Sequence, residues 1–228
     1  MKSKMSIADN IKRITSELGE NTKLVAVSKT KPNEDIMEAY NAGQRLFGEN
    51  KVQELVEKYE TLPKDIEWHF IGHLQSNKVK YIAPFVSLIH GVDSFKLLKT
   101  INKEAKKNDR VIDCLLQFHI AQESTKFGLD EEEADVLLND EQFKEFENIR
   151  IAGVMGMATY TDNFDQVRNE FRSLKNIFDR LKEKYFAGDN SFKEISMGMS
   201  GDYKVAIEEG STLVRIGSSI FGARNYVL

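Results

Sequence analysis

Lys29 ends the apolar run Leu24-Val25-Ala26-Val27-Ser28, which reads as a buried strand. An ammonium at such a strand exit, beside apolar walls, has a lowered pKa, and its neutral amine can attack a carbonyl to form an imine. The same position also suits a plain solvent-facing lysine, and Lys31 nearby does not decide between them.

Two small-residue loops add a second chemistry. Ser196-Met197-Gly198-Met199-Ser200-Gly201-Asp202 follows one apolar run and Gly217-Ser218-Ser219 follows the next, each entering a helical stretch. Glycine admits close backbone approach, serine hydroxyls donate, and helix-start N–H groups favour an anion. Either loop alone is equally a tight turn, but two such loops after consecutive late strands make the phosphate corner common in parallel barrels. A lysine and a phosphate cup at one mouth point to pyridoxal 5'-phosphate, held as a Schiff base on Lys29.

Arg215 lies inside the apolar strand Thr212-Leu213-Val214-Arg215-Ile216, where a guanidinium requires acceptors. They are either a barrel carboxylate or, since Gly217 is two residues on, the ring of a cofactor. Donation from a permanent cation to the pyridine nitrogen would keep that nitrogen unprotonated and the ring a weaker electron sink. Asn50, after Phe47-Gly48-Glu49, is a candidate for the phenolic oxygen or a simple turn residue, and Met157 for the ring face or apolar filler. His69 and His73 have metal-pair spacing but fall on a strand and its exit, where their side chains need not converge, so no metal site is expected.

These residues have to be positioned by an alternating chain. Apolar runs at Leu24 to Ser28, Arg45 to Phe47, Glu67 to Ile71, Val86 to His90, Val111 to Ile120, Ile151 to Met155, Lys193 to Ser196 and Thr212 to Ile216 read as strands. Helical patterning follows most of them, as at Asn33 to Ala42, Lys51 to Tyr59, Phe95 to Lys107 and Asp202 to Glu209. Ile7, Ile11, Ile14 and Leu18 mark a leading helix, and Val167, Phe171, Leu174, Phe178, Leu181 and Tyr185 a long one. About eight strand–helix repeats without a linker predict a (β/α)8 TIM-type barrel forming one domain over residues 1–228, with the leading helix added outside or across one end.

The 228 residues carry a net charge of -4 with no basic stripe, which argues against nucleic acid as a partner. Met1 to Leu18 lacks the apolar core of a signal peptide and no later stretch is long enough to span a bilayer, so the expectation is a cytoplasmic protein. The single cysteine, Cys114, lies in an apolar run and reads as a buried, inert thiol. The acidic run Asp130 to Asp135 opens a helix, where carboxylates suit the positive end of the dipole.

Taken in order, Leu24 to Pro32, Phe47-Gly48-Glu49-Asn50, Trp68 to Lys78, Ser196 to Asp202 and Val214 to Gly222 resemble the YggS/PROSC family of pyridoxal phosphate homeostasis proteins, a likeness running from Lys23 to Tyr226. The resemblance implies an alanine racemase N-terminal barrel without that enzyme's second domain. It also implies an imine on Lys29, phosphate contacts from Ser200, Gly217 and Ser218, and a pyridine contact from Arg215. It implies storage or delivery of the cofactor, balance of amino- and keto-acid pools, and no robust turnover; the expected partners are PLP-dependent apo-enzymes, and the expected state is a monomer. Two departures bear on the substrate side: His119 stands where the family has asparagine, and Met155-Gly156-Met157 carries an unusual glycine. The rival readings are an alanine-racemase-type enzyme, which needs a second acid/base group opposite Lys29, and a barrel acting on another phosphorylated metabolite, which leaves Lys29 without a role.

Overall fold

The computed structural model describes residues 5–123 and 127–223. Tyr226, where the family likeness ends, lies outside them, as do Met1 and the three residues after it. Eight parallel strands close in sequence order: β1 (Lys23–Val27), β2 (Leu46–Glu49), β3 (Glu67–Phe70), β4 (Leu88–Val92), β5 (Ile112–Gln117), β6 (Ile149–Met155), β7 (Glu194–Ser196) and β8 (Leu213–Ile216). β8 returns to β1 with Val25 opposite Arg215 and Ala26 opposite Ile216, completing the TIM-type barrel expected from the alternating pattern.

Around it run α1 (Ile7–Leu18), α2 (Asn33–Asn41), α3 (Val52–Thr61), α4 (Val79–Ile82), α5 (Phe95–Lys107), α6 (Glu131–Asn139), α7 (Phe164–Tyr185), α8 (Tyr203–Glu208) and α9 (Ser218–Phe221). The leading helix α1 starts at Ser6, whose hydroxyl accepts the Asp9 N–H, and buries Ile11, Ile14 and Leu18. It packs on the outside, beside α2 and α9, with the Asn10 amide donating to the Ile220 carbonyl at 2.9 Å. The acidic run opens α6 with a reciprocal cap between Asp130 and Glu133, while Asp135 is held by Arg180, Lys184 and Tyr185.

The apolar core has two layers. Val25, Leu88, Leu115, Ala152, Met155 and Leu213 fill the barrel, and a larger shell packs between strands and helices. Cys114 belongs to that outer shell, fully buried, and burial pushes its thiol pKa up, so it is chemically quiet. Among the described residues, no helix is long and apolar enough to cross a membrane.

Strand limits shifted most at β4, which pairs two residues later than the apolar run Val86 to His90, and at β5, which ends at Gln117 rather than Ile120. Apolar continuity marks burial, and ladder pairing begins only where a neighbour is in reach.

Candidate cofactor site at the carboxyl end of the barrel

Lys29 sits half-buried two residues beyond β1, in a turn with Thr30. Val27 pairs with Gly48, and the Ser28 N–H donates to the Gly48 carbonyl at 3.1 Å, so continuing the register sets Lys29 beside Asn50. Thr30 has φ 64°, an unusual conformation for a β-branched residue, and its N–H donates to Glu54 Oε1 at 2.6 Å. Glu54 is itself paired with Lys58, whose ammonium also reaches the Ser28 carbonyl at 2.7 Å and Glu49 Oε1 at 2.5 Å. Glu49 accepts the Ser28 hydroxyl at 2.7 Å and is fully buried, and desolvation holds its carboxyl above the usual range against the pull of Lys58. α3 thus clamps the turn that carries Lys29.

Lys31 has a different task. Its ammonium donates to the carbonyls of Phe221 at 3.1 Å and Ala223 at 3.2 Å, capping the end of α9.

The two small-residue loops meet. The Ser219 N–H donates to Ser200 Oγ at 3.4 Å, a long contact that nevertheless brings the loop after β7 against the start of α9. The first loop is folded tightly by the Met199 N–H on Asp202 Oδ1 at 2.6 Å. A side chain at Gly201 would meet nothing within 4 Å, so this backbone is open to close approach. A Cβ at Gly217, by contrast, would lie 3.1 Å from the Val27 carbonyl. The β8 loop therefore presses on the end of β1, just before Lys29, and lysine and serine loops share one corner.

Arg215 shares the interior face with Val25 and is only 4% exposed. It donates to Ser196 Oγ at 2.5 Å and to the Gly156 carbonyl at 3.2 Å, tying together the ends of β6, β7 and β8. Burial pushes its pKa down to about 10, with Asp202 opposing, so it stays charged at neutral pH. Ser196 also lies 2.8 Å from His90 Nδ1, and His90 Nε2 lies 3.0 Å from His69 Nδ1. His69 thus pairs with His90 inside the barrel while His73 is exposed. Among the described residues, no group of three or more potential ligands is placed to hold a metal.

Asn50 is half-buried, backed by Gly72, where a Cβ would come 2.6 Å from the Asn50 carbonyl. Met157 is 40% exposed beyond β6. His119 is half-buried past β5, its N–H on the Leu129 carbonyl at 3.1 Å. Gly156 has a structural reason: a Cβ would come 2.9 Å from Ile120 Cδ1 and 3.1 Å from Leu174 Cδ2, and its carbonyl receives Arg215. Gly156→Ala is therefore expected to cost about 1–2 kcal/mol, read as a lower urea midpoint at unchanged slope.

Sequence reading missed Ser196, His90 and Lys58. The first two each end an apolar run and Lys58 lies on α3, so none of them stands inside an apolar block as Arg215 does.

A parallel barrel with a lysine turn and two glycine–serine loops at its carboxyl end fits the class of alanine-racemase-like barrels, and the alanine racemase N-terminal domain model matches residues 3–225. The chain belongs to the family of pyridoxal phosphate homeostasis proteins. A protein of that name from Aquifex aeolicus is 45% identical over 210 residues, 91% of this chain and 90% of its own. The human protein of that name is 38% identical over 90% of this chain and 77% of its own. The solved structure of PipY from Synechococcus elongatus with PLP bound superposes with a TM-score of 0.85 at 32% identity, covering 95% of this chain and all of PipY. Alanine racemase from Bartonella henselae shares the fold, with a TM-score of 0.69 at 16% identity over 60% of its length.

Proposed function

We propose that the chain binds pyridoxal 5'-phosphate at the carboxyl end of its barrel and serves the balance of that cofactor by storing or delivering it. The observation that carries this reading is the contact of the Gly217 loop with the end of β1, which sets anion-binding backbone beside Lys29. The open backbone at Gly201 and the meeting of Ser200 with Ser219 fit a phosphate. The names of the relatives and the PLP-bound PipY structure support the same cofactor.

In this reading Lys29 makes the covalent link, Ser200, Gly217 and Ser218 hold the phosphate, Arg215 faces the pyridine nitrogen, Asn50 the phenolic oxygen, and Met157 a face of the ring. The cofactor's contribution, when bound, is an electron-withdrawing ring. Arg215, a cation at neutral pH, disfavours a second positive charge beside it and so limits that capacity. That suits a carrier without robust turnover better than a racemase. We assign residues 1–228 to one domain, a monomer in the cytoplasm that passes the cofactor to PLP-dependent apo-enzymes.

The test is to load the purified full chain with pyridoxal phosphate, record its visible absorption, reduce with borohydride and map the modified peptide by mass spectrometry. The expected result is a band abolished by reduction and a stable adduct on Lys29. A colourless protein, or an adduct elsewhere, overturns the assignment. Alanine racemisation at an enzyme-like rate by the loaded protein would overturn the carrier reading.

A further inference from the structure

The opposite end of the barrel holds a cavity of about 380 Å³, within the volume range of small-molecule sites. Its wall takes the first or second residue of each of the eight strands, so it is a closed ring centred on the barrel axis. His69 lines it, and His69 also begins the hydrogen-bonded file His69–His90–Ser196–Arg215 that runs through the barrel interior.

The direction of that file follows from donor chemistry. Arginine only donates, so Ser196 Oγ accepts from Arg215, and the one other partner of that hydroxyl among the described residues is His90 Nδ1. Burial holds both imidazoles neutral at ordinary pH, His69 with a pKa lowered to about 3 and His90 well below its usual value. His90 Nδ1 therefore accepts, His90 Nε2–H donates to His69 Nδ1, and the proton of His69 lies on Nε2. That N–H has no acceptor among the described residues, and it belongs to the residue that lines the cavity.

The charges around the cavity are three against three, but they are not equally committed. Arg150 holds Asp113 through two bonds at 2.7 and 3.0 Å, and Glu194 accepts the Thr212 hydroxyl at 2.6 Å. Lys23 and Lys193 have no side-chain hydrogen bond or ion pair among the described residues, and Glu67 is the one remaining carboxylate. Two free ammonium groups and a directed imidazole N–H make an acceptor-seeking site. The remaining carboxylate makes it a poor host for a dianion.

We propose that this amino-end cavity is a second binding site, taking a small monocarboxylate on His69 Nε2–H with Lys23 and Lys193 at its rim, and that the histidine–serine file transmits its occupancy to Arg215. An anion accepting from Nε2–H increases electron density at His69 Nδ1, which strengthens the bond from His90 and each link behind it. Occupancy thereby tightens Arg215 on Ser196, and the coupling is reciprocal. The consequence for the cofactor rests on the reading of Arg215 given above; binding in the cavity does not.

The experiment is a titration of the full chain, without pyridoxal phosphate and with nitrogen-15-labelled histidine and arginine, using acetate against chloride at matched ionic strength. The expected result is a saturable shift of His69 Nε2 that reappears at His90 and at the Arg215 side chain, whose N–H exchange slows. Lys23→Met with Lys193→Met, both exposed positions that leave the core intact, should weaken acetate about fivefold. His69→Phe should abolish the response. A non-saturating shift equal to that of chloride, or saturable binding unchanged in the lysine variant, overturns the site. Inorganic phosphate binding more tightly than acetate overturns the monocarboxylate assignment, and a response that stops at His90 overturns the coupling. None of these readouts needs the cofactor, so failure here is separable from failure of the borohydride experiment.

Discussion

Lys58→Met is expected to destabilise the protein by about 3–5 kcal/mol, the cost of leaving a buried carboxylate without its counter-ion. The Lys58 side chain is 7% exposed and Glu49 is fully buried, so water does not replace the missing ammonium. A methionine fills the stem but donates nothing to Glu49, Glu54 or the Ser28 carbonyl. The sign of the pH dependence follows. Desolvation already raises the Glu49 pKa, and loss of Lys58 raises it further. A folded-state pKa above the unfolded one means the fold binds the proton more tightly. Its stabilising contribution is present below the unfolded carboxylate value and is lost as pH rises through the folded one. The deficit of the variant should accordingly be smaller at about pH 5 than at about pH 8 in urea unfolding. Glu49→Gln combined with Lys58→Met should lose less than the sum of the two, because the stranded charge is gone. The variant should also capture pyridoxal phosphate more slowly, since the Thr30 N–H loses its fixed acceptor and the Lys29 turn its clamp. An unchanged urea midpoint at about pH 8 would mean that the pair contributes nothing net to stability.

The barrel was legible because each strand is buried on both faces and therefore reads as a short apolar block, with helical periodicity between blocks. Arg215 was legible for a related reason: a guanidinium inside such a block has to be explained. The glycine–serine loops could be read as a pair from chain order alone, since consecutive late strands are neighbours in a closed barrel. His90 and Ser196 could not. Each ends an apolar run where a polar residue is ordinary, and only barrel closure brings β3, β4, β7 and β8 around one interior so that these side chains meet. Lys58 was invisible for another reason. On a helix its spacing fits a solvated face, and only the docking of α3 against the ends of β1 and β2 turns it inward to Glu49. Gly156 looked like a departure from the family and proves to be a packing requirement, with Ile120 and Leu174 occupying the space a side chain would need.

The largest pH effect should come from the two interior histidines. Both are buried, His90 fully and His69 at 4% exposure, and both have folded-state pKa values below the ordinary 6.5, His69 at about 3. For a base depressed by folding, the unfolded chain binds the proton more readily. The stabilisation is therefore complete above about pH 6.5 and is lost as pH falls from there toward about 3. His69 contributes a slope of up to about 1.4 kcal/mol per pH unit over that window, on the order of 4–5 kcal/mol across it, and His90 acts in the same direction. The two contributions do not simply add, because a proton entering His69 places a second donor against His90 Nε2 and forces the file to reverse. Carboxylates titrate in the lower part of the same window, so the discriminating quantity is the difference between variants. His69→Gln keeps an acceptor and a donor but no titration, and its stability between about pH 6.5 and 5 should fall less steeply than that of the wild type. His90→Gln should flatten the same interval and additionally weaken the hold on Ser196, visible as faster exchange of the Arg215 side-chain N–H groups. Parallel pH profiles for wild type and both variants would show that the histidines are not held neutral in the fold, and the direction assigned to the file would then fail with them.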